Sequence, residues 1–291
     1  MLTEVLRARL ATLNRGAAGN WPAAPAKRYD GSPAVVSGQE VLGPQGTCYR
    51  VRRRVVEFGA TSLSELLGLH ETLAAEWVAA EPELDCFVRA FPRRTLFLDL
   101  ETCGWSGAPL FLVGLLRQLD GELVVEQLLA RDYAEEPAVL ERLWSLLSDY
   151  EVLVTFNGKT FDWPFVVDRS TVHRIPGHHS GERSRSTAFR CPLVHLDLLS
   201  LARRYWKEPL VLPNCRLQTL ESALCRRHRS GDIPGWQVPS AYHAFVRSGD
   251  TSQLNKIISH NALDLLTLAE LSLLLVRDLA ADDRLIRTFL A

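Results

Sequence analysis

Thr95-Leu96-Phe97-Leu98-Asp99-Leu100-Glu101-Thr102 is an apolar run broken at its end by two carboxylates. The run has the composition of a buried strand. Side chains on a strand alternate between faces, so Asp99 and Glu101 point the same way. Two like charges side by side at the end of a buried strand are costly unless a cation joins them. Hard divalent ions such as Mg²⁺ and Mn²⁺ choose carboxylate oxygens. The competing reading is a strand that runs out into solvent, where acidic residues cost little. The choice turns on what partners the rest of the chain supplies.

Downstream of this run, Phe111–Leu116 and Leu123–Leu129 predict two more strands, joined by Asp120-Gly121, a hairpin turn signal. Glu135 to Ser148 predicts an amphipathic helix with Leu140, Leu143, Trp144 and Leu147 on one face. Glu151 to Phe156 reads as a fourth strand. Three antiparallel strands, a helix and a further strand make an α/β mixed sheet flanked by helices. The remainder reads as helical over Leu193–Tyr205, Leu217–Cys225, Ser240–Arg247 and Gln253–Asp278, with a mobile loop over Ile175–Arg190.

Residues 1–90 read as an extension ahead of the main domain, 91–280, with 281–291 as a C-terminal tail. The extension opens on a short helical pattern and continues through a Gly/Pro-rich stretch, Gly16 to Gly46, read as loop. Cys48 to Phe58 alternates as a basic strand, and Thr61 or Ser62 caps a helix reaching about Ala80. The extension is either a substrate clamp or a source of a strand for the core.

The chain has 291 residues, 47% of them hydrophobic, as expected for a globular core. No apolar stretch approaches the roughly 20 residues that span a bilayer, and the start lacks the order of a secretory signal. Six cysteines with no CxxC pair argue against a zinc ribbon, although Cys191 and His195 make a conceivable metal pair. Reduced thiols and no export signal make the cytoplasm the expected location. Net charge is −1, but Arg169 to Arg229 holds twelve Lys/Arg against four acids. Such a segment marks either a phosphate-binding face or a solvated surface paired with acids elsewhere.

Two later motifs bear on the carboxylate pair. Asn157-Gly158-Lys159-Thr160-Phe161-Asp162 follows the fourth strand, with Asp162 at the start of a helix, where it is either a cap or a ligand. His260 and Asp264 lie four apart on one face of the last helix, Asp264 within a leucine-rich pattern. Taken alone, they read equally as a surface pair.

Asp-x-Glu, then Asn-x-x-x-Phe-Asp, then His-x-x-x-Asp occur in the order of the three motifs of the DEDD exonuclease superfamily. The chain resembles the ribonuclease H-like branch of that superfamily, and more narrowly the bacterial YprB-type family of predicted exonucleases. The resemblance covers residues 40 to 275. It is carried by Phe97 to Thr102, Phe111-Leu112-Val113-Gly114, Glu135-Glu136-Pro137-Ala138, Val154 to Asp162, His195-Leu196-Asp197-Leu198-Leu199, Ala202 to Trp206, Asp232-Ile233-Pro234-Gly235 and His260 to Asp264. It implies a ribonuclease H-like fold and four metal-binding acids: Asp99, Glu101, Asp162 and Asp264. His260 falls where related enzymes place a Tyr or His that orients the attacking water, although its spacing to Asp264 is that of the Tyr-containing subgroup. Cys103 stands where relatives often have a second Thr.

The implied cofactors are two divalent ions, Mg²⁺ or Mn²⁺, and the implied reaction is 3′→5′ hydrolysis of single-stranded DNA or RNA. Asp99 is the expected bridging ligand, with Glu101 on the ion that carries the water, Asp162 on the other, and Asp264 completing the site. Lys159 and Asn157 are candidates to touch the strand near the scissile phosphate, though Asn157 also suits the turn and Lys159 a solvated surface. Arg203, Arg204 and Trp206 are candidates to line a single-strand channel by charge and stacking, with Trp206 as a core residue the competing reading. Asp197 is a fifth acid whose place at a helix start fits a cap. No protein partner is implied. Two other readings stay open: a catalytically weak nucleic-acid-binding or scaffold module that keeps the fold, and a structure-specific endonuclease.

Overall fold

The computed structural model describes residues 36–59, 63, 65–70, 81–105, 107–175, 191, 193–207, 212–229 and 231–290, the side chains of 281–290 excepted. The opening helical pattern, residues 176–190 of the loop read over Ile175–Arg190 and the cap at 61–62 lie outside these residues.

Seven strands form one sheet in the order β1-β2-β5-β4-β3-β6-β7. They are β1 (Gln39–Gly43), β2 (Gly46–Arg54), β3 (Thr95–Thr102), β4 (Leu110–Leu119), β5 (Glu122–Leu129), β6 (Val152–Thr155) and β7 (Val194–Asp197). The first five pair antiparallel, while β3–β6 and β6–β7 pair parallel. The expected mixed sheet is thus present. Asp120 and Gly121 both take positive φ (50° and 85°), the conformation a two-residue hairpin needs.

Two expectations are corrected. The Gly/Pro-rich stretch hides β1, which pairs with β2 and lengthens the sheet at its edge. The helix read over Leu193–Tyr205 is instead β7 followed by α4 (Leu198–Tyr205), because Val194 to Asp197 pair in register with Val152 to Thr155. The other helices are α1 (Pro82–Ala90), α2 (Glu136–Leu147), α3 (Asp162–Val172), α5 (Leu217–Leu220, continued by a π turn over Glu221–Cys225), α6 (Val238–Ser248) and α7 (Ser252–Leu290).

Strand alternation sorts the core into two clusters. Leu96, Leu98 and Leu100 of β3 pack with α2, α3 and α6, whereas Phe97 packs with Val152 and Val154 of β6, α1, α4 and Ala262 to Val276 of α7. Asp99 and Glu101 share the parity of Phe97, so they face the side that α7 crosses. A buried ion-pair hub ties β2, β4 and β5 together. Glu126, fully buried, accepts from Arg117 Nε at 2.7 Å and Arg52 Nη2 at 3.1 Å. No helix among the described residues is long and apolar enough to cross a membrane.

Candidate active site

The end of β3 is open along one edge. β6 pairs only with Thr95 to Phe97 and stops at Thr155, while β3 continues to Thr102. The turn after β6 fills that edge. Asn157 takes a left-handed φ of 66°, which Asn tolerates, and the chain folds back so that Asp162 opens α3. Asp162 is buried, and the backbone around it, its own and that of Leu100, favours its charged form against that burial.

Asp264 approaches from α7. The four predicted acids act on one another electrostatically. Burial lifts Asp99 well above the usual carboxylate range, and the charges of Asp264, Glu101 and Asp162 lift it further, against one hydrogen bond from Asn261. Glu101 is raised well above its ordinary value by burial, then by Asp264, Asp162 and Asp232. Burial pushes Asp162 up to about 7, with the charge of Asp197 adding to it. Burial also raises Asp264, while His260 and Arg229 pull the other way.

The partners of Asp264 are specific. Arg229 Nη2 lies 2.6 Å from its Oδ1 and His260 Nε2 lies 3.3 Å from its Oδ2. Arg229 also holds Glu221 at 2.7 Å and approaches Asp232 at 3.5 Å. His260 Nδ1 is 2.7 Å from Asp232 Oδ1. Each ring nitrogen therefore faces a carboxylate, and His260 links Asp232 to Asp264 rather than offering a free nitrogen to water.

Among the described residues no three His, Cys, Asp or Glu side chains stand close enough to ligate one ion. The donor set still fits a hard divalent cation in kind. Asp99, Glu101 and Asp162 are carboxylates held under mutual repulsion, and among the described residues no Lys, Arg or His forms an ion pair with any of the three.

The residues expected to meet nucleic acid are distributed differently. Trp206 is 3% exposed, and its indole donates to Asp278 at 3.2 Å, so it has no face on which a base can stack. That corrects its assignment to a channel. Lys159 reaches Glu83 at 2.7 Å, and Arg204 pairs with Glu81. Arg203 is exposed on α4. Asn157 serves the turn, its side chain accepting from Thr160 Oγ1 at 2.8 Å. Asp197 caps α4 and accepts from the amides of Asn157 and Lys159. His195 is bonded to Thr155 Oγ1 at 2.8 Å and lines a cavity of about 380 Å³ with Cys191 and Lys159. Of the basic window, Arg169 pairs with Glu136, and Arg227 with Glu221 and Glu270.

Three residues escaped the sequence reading as site residues: Asp232, Arg229 and Asn261. Asn261 carried a readable signal, a buried amide directly after His260 on the apolar side of the last helix. Asp232 and Arg229 sit in irregular chain, where no periodicity aims a side chain.

A family model described as the RNase H superfamily matches residues 96–276. The chain is similar to the uncharacterized protein YprB of Bacillus subtilis (strain 168), 33% identical over 184 residues that make up 60% of this chain and 40% of that protein. It thus spans well under half the length of that relative. Among solved structures it is similar to the family B DNA polymerase of the hyperthermophilic archaeon Pyrobaculum calidifontis, with a TM-score of 0.49 and 18% identity over 62% of this chain and 24% of that one. The family match runs from β3 into α7 and so takes in β3 to β7, the turn after β6 and all four carboxylates: the chain belongs to the ribonuclease H superfamily.

Proposed function

We propose that this chain is a metal-dependent 3′→5′ exonuclease acting on single-stranded nucleic acid. The observation that carries the reading is the mutual repulsion of Asp99, Glu101, Asp162 and Asp264 at the open end of β3. Asp99, Glu101 and Asp162 have no Lys or Arg ion-pair partner among the described residues, and carboxylates grouped in this way out of bulk water fit a cation held between them. Membership of the ribonuclease H superfamily supports a nuclease-type chemistry. In this reading the four acids hold Mg²⁺ or Mn²⁺. A divalent ion held there would lower the pKa of an attacking water and offset charge on the phosphate. Asp99, which feels the other three acids, is the candidate shared ligand. Asp232 holds His260 by one nitrogen and so aims the other at Asp264.

One observation favours a second reading, a binding module without strong catalysis: Arg229 already compensates Asp264. A single experiment separates the two. The full chain is incubated with Mn²⁺ and either a 5′-labelled linear or a circular single strand. The expected result is shortening of the linear strand from its 3′ end while the circle survives. Asp99→Asn is expected to lose more than the roughly 10–100-fold that loss of an outer metal-site partner costs. If neither substrate is cut and Asp99→Asn binds the strand as the wild type does, the binding-module reading replaces the enzyme. Cutting of the circle assigns endonucleolytic action.

A further inference from the structure

The geometry points to Asn261 and Gln127 as a two-amide relay that orients the Asp99 carboxylate for metal binding, an inference that rests on the metal-dependent reading above. Three residues lie in one row across the sheet. Asp99 of β3 pairs with Gly114 of β4, and Gly114 pairs with Gln127 of β5. Asn261 of α7 is fully buried over the middle of this row. A Cβ on Gly114 would come within 2.1 Å of Asn261 Oδ1, so the amide occupies space that only glycine leaves open.

The relay has a direction. The backbone carbonyl of Ile258 can only accept, and it takes a hydrogen from Gln127 Nε2 at 2.8 Å. The same amino group donates to Asn261 Oδ1 at 2.7 Å. That turns the Asn261 amino group toward β3, where it donates to Asp99 Oδ2 at 2.7 Å and to the Asp99 carbonyl at 3.2 Å. Each step fixes the next, because an amide offers donors on one side and an acceptor on the other. Asp99 Oδ2 is thereby committed to a protein donor. Among the described residues none reaches its other oxygen, which is left for a cation. Outer partners that orient a ligand carboxylate typically change metal affinity by about 10–100-fold when lost. Asn261 and Gln127 are positioning residues here.

Titration calorimetry of Mn²⁺ into the full chain tests the relay without reference to catalysis. Asn261→Leu is expected to weaken Mn²⁺ binding about 10–100-fold, and Gln127→Met to weaken it less. The double variant is expected to bind no more weakly than Asn261→Leu alone, because Gln127 acts only through Asn261. Circular dichroism checks the fold. If Asn261→Leu does not fold, Asn261→Ser, which is smaller and keeps a donor, takes its place in the cycle. Affinities within twofold of wild type for the single variants, or effects that add in full, overturn the relay. If the variants show the coupled loss of affinity but the wild type cleaves no nucleic acid, the relay stands and the nuclease reading falls. If the wild type cleaves while Asn261→Leu binds Mn²⁺ as tightly as the wild type, the relay falls and the nuclease reading stands.

Discussion

Asp99 carries a conflict between stability and function in a single side chain. Its charge is disfavoured by burial and repelled by Asp264, Glu101 and Asp162, with the Asn261 amide as its one compensating contact among the described residues. Asparagine has nearly the same shape and keeps an oxygen to accept from Asn261. Asp99→Asn is therefore expected to stabilise the metal-free protein by about 0.5–2 kcal/mol, the common yield of removing a functional strain. For a chain of this size each kcal/mol raises Tm by about 2–4 °C. Thermal melts in EDTA and in saturating Mn²⁺ provide the check. The variant should melt higher than wild type in EDTA and lose that lead in Mn²⁺, because only the wild type gains from ligand linkage. A lower Tm in EDTA would mean that the repulsion is already relieved without a cation. Arg229 shows how far relief can go from within the chain, since it pairs with Asp264 while the other three acids have no arginine partner among the described residues.

At the level of elements, β7 makes the sharpest case. His195 sits in this four-residue strand, half-buried and bonded to Thr155 of β6. Burial lowers its pKa to about 4, with the charge of Asp197 opposing and that of Lys159 assisting. An unfolded histidine titrates near 6.5. As pH falls, the unfolded chain takes up the proton first. The contribution is whole above pH 6.5 and is lost between pH 6.5 and about 4, by up to about 3 kcal/mol. His195→Gln retains a partner for Thr155 but does not titrate. Urea unfolding at several pH values should therefore show wild-type stability falling across this window relative to the variant. Parallel acid limbs in the two proteins would contradict the buried-histidine account.

The same strand marks where sequence reading stops. The run His195-Leu196-Asp197-Leu198-Leu199 has helical composition, and only pairing with β6 makes its first half extended. β1 was hidden for a related reason, because its Gly- and Pro-flanked residues earn strand geometry from β2 alone. By contrast β3 and the Asp120-Gly121 hairpin were legible, since an apolar run and a two-residue turn are local signals. Period-two alternation also placed Asp99 and Glu101 on one face. It carried no information that Asn261 would meet Asp99 across Gly114, a contact made between distant segments.

Across the whole molecule, the question is where a strand could lie against the acids. Trp206, for which the sequence left a channel and a core position open, is core. Among the described residues the exposed indoles are Trp105, at 85%, and Trp236, at 79%. Trp105 is four residues beyond Glu101, and Trp236 is four residues beyond Asp232, whose charge reaches Glu101. Both rings stand on turns that are held in place. Ala108 N donates to the Trp105 carbonyl at 3.0 Å, and Gln237 N donates to the Pro234 carbonyl at 2.8 Å beside the buried Ile233. On the same side as Asp232 and His260, a cavity of about 450 Å³ is lined by His228, Lys256 and Ser259, groups suited to a phosphate backbone. A full indole left in water forgoes a large part of the 150–250 Å² an aromatic side chain usually buries. Unpaired bases would cover that surface, whereas bases stacked within a duplex would not. Stacking on such a ring is worth about 1–3 kcal/mol per base. Trp105→Ala and Trp236→Ala, each made in an Asp99→Asn background to prevent cleavage, should therefore weaken a fluorescent single strand by about 5–150-fold, the same energy expressed as affinity. Blunt duplex binding should change far less, since it depends on phosphate contacts. Anisotropy titrations at one fixed salt concentration measure both. Equal losses for single strand and duplex would place the tryptophans in general packing, and no loss for either would remove them from the path of the strand.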